Sequence, residues 1–134
     1  DMKLNLIKEL NADHALLLSK MEEIKSLPET DAGIPRLLGD IKEGLTLHLG
    51  KEDREFYPPM RAAAEKNENL RETLKIMGVE MEAITGKAIG LIDGWLENGL
   101  SSRFREEFDA LFALLKDRIQ REETKLYTKY IKLG

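Results

Sequence analysis

Cysteine is absent from the 134-residue chain, which excludes a disulfide framework, a zinc ribbon, a thiol nucleophile and an iron–sulfur cluster. Long hydrophobic runs are absent as well. Apolar residues never run uninterrupted for more than a few positions, so no segment can span a bilayer and no membrane partner is expected. An excess of positive charge is also missing: Lys and Arg number 21 against 25 Asp and Glu, a net charge of −4. Without a basic face the chain is not expected to bind nucleic acid. The opening DMKLNLIKEL alternates apolar with charged residues and no cleavage site follows, so it does not read as a signal peptide. A cytoplasmic location is expected. No G-x-x-x-x-G-K-[ST], H-E-x-x-H or ferritin-type E-x-x-H occurs, and no nucleophile motif supports hydrolase or transferase chemistry. The chain is therefore expected not to be an enzyme.

What is present is helical periodicity. At this length one domain, residues 1–134, is expected, large enough to enclose a core. Apolar residues recur at steps of three and four along almost the whole chain. Breaks at LPETDAGIP, at Pro58-Pro59 with the following EKNEN, and at ENGLSS leave four segments. The first runs from about Leu4 to Leu27, with a turn considered at Asn11. The second runs from about Ile34 to Lys66, and a kink is expected at the prolines because Pro59 has no N–H to give. The third runs from Glu68 to Asn98, capped by Asn67 and stopped by Gly99. The fourth starts after Ser101 or Ser102 and reaches about Lys132. Four long helices with short connections predict an all-α, up-down-up-down antiparallel four-helix bundle.

The inward stripes of these helices hold five misfits. His14, His48, Glu52, Arg118 and Glu122 stand where a plain bundle would carry leucine. Counting residues to and from each loop at about 1.5 Å per residue places all five, with Met81, at one depth along the bundle. Buried charges cost several kcal/mol each unless they are paired or bound to a metal. His48 and Glu52 are four apart on one helical face, so both can reach one ion. Neutral imidazole with carboxylate suits iron, zinc or manganese. The bland alternative is a set of hydrogen-bonded core histidines and an internal ion pair.

The segments NADHALL (His14), HLGKEDREFYP (His48, Glu52), EMEAI (around Met81) and RIQREETKLY (Arg118, Glu122) resemble the hemerythrin-like, or HHE cation-binding, domain family. Its signature places a His on the first helix, H-x-x-x-E on the second, a His on the third and H-x-x-x-E on the fourth. The resemblance implies a four-helix bundle around a non-haem iron pair bridged by the two glutamates, used in oxygen binding, iron or redox sensing, or storage. Two family histidines are replaced, by Met81 and Arg118. One metal position thus keeps His14, His48, Glu52 and Glu122, while the other loses both imidazoles. The expected cofactor is non-haem iron at a mononuclear or partial di-iron site, with a metal ion and O2 as partners. If Arg118 clamps Glu52 and Glu122 in place of a cation, the expectation is a metal-free sensory or interaction bundle. A weaker third reading is an oxidase or peroxidase at a mononuclear iron. Glu80 and Glu82 flank Met81 but are rotated off the stripe by about 100° each, which makes them poor substitutes. Tyr57 and Tyr127 are expected to line the end of the layer or simply to pack there. Gly86, Gly90 and Gly94 repeat every four residues outward on the third helix, a feature of a homodimer contact or of tolerated surface glycine. Because the chain opens at Asp1, linkage to a signalling domain is a further expectation.

Overall fold

The computed structural model describes residues 1–133 and is built of helices alone among them. Helix α1 spans Met2–Ser26, and the Asp1 side chain caps it by accepting from the Lys3 N–H. It runs unbroken through Asn11, so no turn forms there. Helix α2 (Gly33–Lys51) passes through a π-turn at Glu52–Phe56 into α3 (Tyr57–Ala64). Helix α4 spans Glu68–Asn98; Asn67 accepts from the Leu70 N–H, and Gly99 leaves the helix at φ 84°, a backbone state that favours glycine. Helix α5 (Phe104–Arg121) passes through a second π-turn, Glu122–Leu126, into α6 (Tyr127–Ile131). The arms pack as a square in which α1 and α4 each lie beside both π-turned arms. This is the four-helix bundle that the periodicity predicts.

The expected kink at the prolines has a different origin. Pro58 and Pro59 lie in the first turn of α3, after the π-turn has already formed. The second π-turn has no proline near it, yet its geometry is the same: the N–H of Tyr57 bonds the Glu52 carbonyl, and that of Tyr127 bonds the Glu122 carbonyl. Each turn begins at a buried glutamate, and such single π-turns recur at functional sites.

The core is split in two. One apolar cluster, including Ile24, Leu38, Trp95, Phe104 and Phe108, fills the end of the bundle near the α1–α2 and α4–α5 loops. The other, including Leu10, Phe56, Met60, Leu70 and Leu126, fills the opposite end. The five polar misfits, 0–7% exposed, are the buried polar residues of the chain among those described. Along α4 the buried stripe takes Ile92 rather than Leu91, which stays half-exposed. A Cβ placed on Gly86, Gly90 or Gly94 would meet nothing within 4 Å, so no element of the chain approaches them closely.

Candidate metal centre

Three of the four arms deliver the centre. His14 comes from the middle of α1, His48 from the last turn of α2 and Glu52 from the π-turn that follows. Glu122 opens the second π-turn, and Tyr127 begins α6 just beyond it. The donor atoms of His14, His48 and Glu122 all lie within 4.8 Å of one another. His14 Nε2 is 3.2 Å from Glu122 Oε1, and His48 Nε2 is 3.6 Å from Glu52 Oε1. The two imidazole rings are 4.6 Å apart, and the Tyr127 ring stacks on His14 at 5.6 Å.

Both histidines are held by their outer nitrogens. His14 Nδ1 donates to Glu123 Oε2 at 2.8 Å, and His48 Nδ1 donates to Asp13 Oδ2 at 2.9 Å. A carboxylate only accepts, so each neutral ring carries its proton on Nδ1 and turns an Nε2 lone pair inward. That is the outer-carboxylate arrangement by which metal-ligating histidines are oriented. The bracing is crossed: Asp13 neighbours His14 in sequence but holds His48, while Glu123 neighbours Glu122 but holds His14. Lys51 also donates to Asp13, at 3.1 Å. Sequence reasoning missed Asp13 and Glu123; the acidic residue directly beside a candidate ligand was the available signal.

The electrostatics are those of a cluster short of positive charge. Burial and then the adjacent Glu122 carboxylate push Glu52 up to about 9. Burial alone would favour neutral His14, but Glu122 and Glu123 outweigh it and raise its pKa above the ordinary histidine value. His48 is held below that value, burial prevailing over its bond to Asp13. Burial, then the Glu122 and Glu52 charges, push the Tyr127 hydroxyl well above its usual range. Glu52 Oε1 and Glu122 Oε2 are fully buried without a hydrogen-bond partner among the described residues. Two inward imidazole lone pairs and two orphaned carboxylate oxygens are a donor set that fits a divalent or trivalent cation. Protons serve the same electrostatic need when the cation is away.

Arg118 does not do what its position on the stripe predicts. Instead of clamping Glu52 and Glu122, its guanidinium runs across to α4, where Nη1 bonds Glu80 Oε2 at 2.9 Å and Nη2 donates to the Met77 carbonyl. Arg121 reaches the same Glu80 oxygen at 3.2 Å. Glu80, set aside by its rotation from the stripe, comes into play because two long side chains span the offset together. Met81 is half-buried and lies on the wall of a cleft between α4 and the α2–α3 arm; Tyr57 and Thr85 line the same cleft. A second cleft, of about 350 Å³ between α1 and α2, has His14 and His48 in its wall, with Leu17, Ile41 and Leu45.

The fold and centre define a class: a four-helix bundle that gathers imidazole and carboxylate donors into a buried layer at mid-height. The profile of the hemerythrin HHE cation binding domain matches residues 5–130, and the chain belongs to that family. No curated protein and no solved structure matched the chain. Among the described residues no helix is long and apolar enough to cross a membrane.

Proposed function

We propose that the protein is a cytoplasmic metal-binding module holding one non-haem iron ion through His14, His48, Glu52 and Glu122. In this reading it serves oxygen, iron or redox sensing or binding rather than turnover. The observation that carries it is the crossed bracing of the two imidazoles, which turns the His14 Nε2 lone pair toward Glu122 and that of His48 toward Glu52. Iron held there would supply open positions for O2 and a one-electron couple. The chain's own residues supply the rest. The two apolar clusters enclose the layer from both ends of the bundle, and the Asp13 and Glu123 bonds hold the rings in their binding tautomer. Arg118 brings a permanent positive charge to the side where the family would place its second cation. That charge favours one bound ion over two.

A second reading, in which the bundle holds no metal and acts as a sensory or interaction domain, rests on the buried Arg118 charge, which still acts on Glu52 although the guanidinium bonds Glu80. Metal analysis separates the two. Protein purified without chelator, or loaded with ferrous iron, is expected to hold close to one iron per chain. His14→Ala and His48→Ala are expected to lose it while keeping their helical circular dichroism. A wild type that takes up less than about a tenth of an equivalent of iron, zinc or manganese would establish the metal-free reading.

A further inference from the structure

Tyr127 sits closer to the donor atoms than a packing residue needs to. Its hydroxyl oxygen lies 3.4 Å from His14 Nε2, 3.5 Å from His48 Nε2 and 2.9 Å from Glu52 Oε2. The hydroxyl donates its one proton to Glu52, an ordinary hydrogen bond. The two imidazole contacts are not explained that way, because each Nε2 presents a lone pair and the phenol has no second proton to offer. Lone pairs that converge at these separations look like neighbouring corners of a coordination polyhedron. A cation about 2.1 Å from each donor sets adjacent donors about 3.0 Å apart in an octahedron and about 3.4 Å apart in a tetrahedron. The phenol's three contacts of 2.9, 3.4 and 3.5 Å fall at those lengths. So does the 3.2 Å between His14 Nε2 and Glu122 Oε1.

The backbone explains why the phenol is there. Along an α-helix a residue five beyond Glu122 would point well away from it. The π-turn closes from Glu122 to Tyr127 with one residue more than an α-turn, which brings the fifth residue back over the first. Tyr57 is placed likewise after Glu52 but ends differently: its hydroxyl is buried with no hydrogen-bond partner among the described residues. The two tyrosines are therefore a matched pair, of which one faces the donor cluster.

We infer that Tyr127 is a further ligand of the centre, a phenolate that joins His14, His48, Glu52 and Glu122 around a trivalent cation. The inference rests on the metal-binding reading above. The O–H bond breaks as the oxygen–metal bond forms, and the proton leaves by way of Glu52 Oε2, which already accepts it. A hard anionic oxygen beside two carboxylates favours the ferric over the ferrous ion, so the centre would rest oxidised.

The test uses the intact chain loaded with ferric iron. Phenolate bound to ferric iron absorbs in the visible, where histidine–carboxylate iron does not. Wild type is expected to show such a band, with tyrosinate vibrations in resonance Raman excited within it. Tyr127→Phe is expected to keep close to one iron per chain and lose the band completely, while Tyr57→Phe keeps both. If Tyr127→Phe does not fold, resonance Raman of Tyr57→Phe decides, because Tyr127 is then the one phenol left beside the centre. A wild type that holds iron without the band, or a band that survives in Tyr127→Phe, overturns the inference and leaves the metal-binding reading standing. A wild type that holds no iron overturns both.

Discussion

The α2–α3 arm and the α5–α6 arm are built on the same backbone plan and filled with different chemistry. Each runs down the bundle, opens a π-turn at a buried glutamate and closes it at a tyrosine. One turn before the glutamate, the first arm carries His48 and the second Arg118. The imidazole stops at the centre, where its inner nitrogen faces the carboxylates. The longer guanidinium passes on to α4 and finds Glu80 and the Met77 carbonyl. The tyrosines diverge too, Tyr127 bonding Glu52 and the Tyr57 hydroxyl finding no hydrogen-bond partner among the described residues. Backbone geometry decides which positions face the layer. Side-chain length and charge decide whether a position holds a cation or supplies one.

Making the arms chemically alike should have the largest effect. Met81→His with Arg118→His removes the guanidinium and offers two imidazoles on the emptied side, and the metal content is expected to rise from close to one iron per chain toward two. A folded double variant that binds no more than its parent would show that the second arm is not a degenerate metal arm. Next in size is Arg118→Leu, which leaves Glu52 and Glu122 without a nearby buried cation. We expect the metal-free protein to lose stability near neutral pH, by less than the roughly 3 kcal/mol of a fully buried pair because Glu80 keeps access to water. Added divalent metal should return most of that loss; an unchanged denaturant midpoint would mean the arginine compensates nothing.

Smaller effects sharpen the contrast from the first arm. Asp13→Asn and Glu123→Gln each weaken the grip on one imidazole, and iron affinity is expected to fall about 10- to 100-fold in competition with a chelator. The pH dependence of the metal-free protein follows from the raised groups. The stabilising contribution of Glu52 is complete below its unfolded value of 4.5 and is lost as pH climbs through its folded value of about 9. His14, also raised, acts in the same direction from 6.5 upward. His48, lowered, contributes above 6.5 and loses that contribution as pH falls. Chelated protein should therefore melt at progressively lower temperature from about pH 6.5 to pH 9, where Glu52 and His14 act together and His48 no longer opposes them, and metal-loaded protein should not. The smallest effect is expected from Pro58→Ala. The second arm keeps its π-turn without proline, so stability should shift by no more than about 1 kcal/mol and metal content should not change.

Much of this was legible in the sequence, and the illegible part has one main cause. Periodicity located the helices, and the Asn67 cap and the Gly99 stop held to the residue. Counting along the helices brought His14, His48, Glu52 and Glu122 to one depth, where the structure gathers them. That count assumes a constant rise and rotation, and the π-turns break the assumption just past each glutamate. Tyr127 was thus left between lining the end of the layer and merely packing there, and the bend was assigned to prolines that only follow it. Asp13 and Glu123 were missed, and Glu80 was set aside, for another reason. They lie partly in solvent beside the stripe, where a pattern of burial has nothing to say about acidic side chains.

The crossed bracing has a mechanical side. Asp13 ties α1 to α2 through His48, and Glu123 ties the last arm to α1 through His14, so each imidazole acts as a peg between two helices. Whatever occupies the inner ends of those pegs bears on the seams where three arms meet. An occupant present at a hundred times its dissociation constant would stabilise the folded bundle by about 2.7 kcal/mol. Its departure would leave those two ties without their inner anchor at mid-height, well away from the loops. In such a bundle the centre is the latch of the first helix.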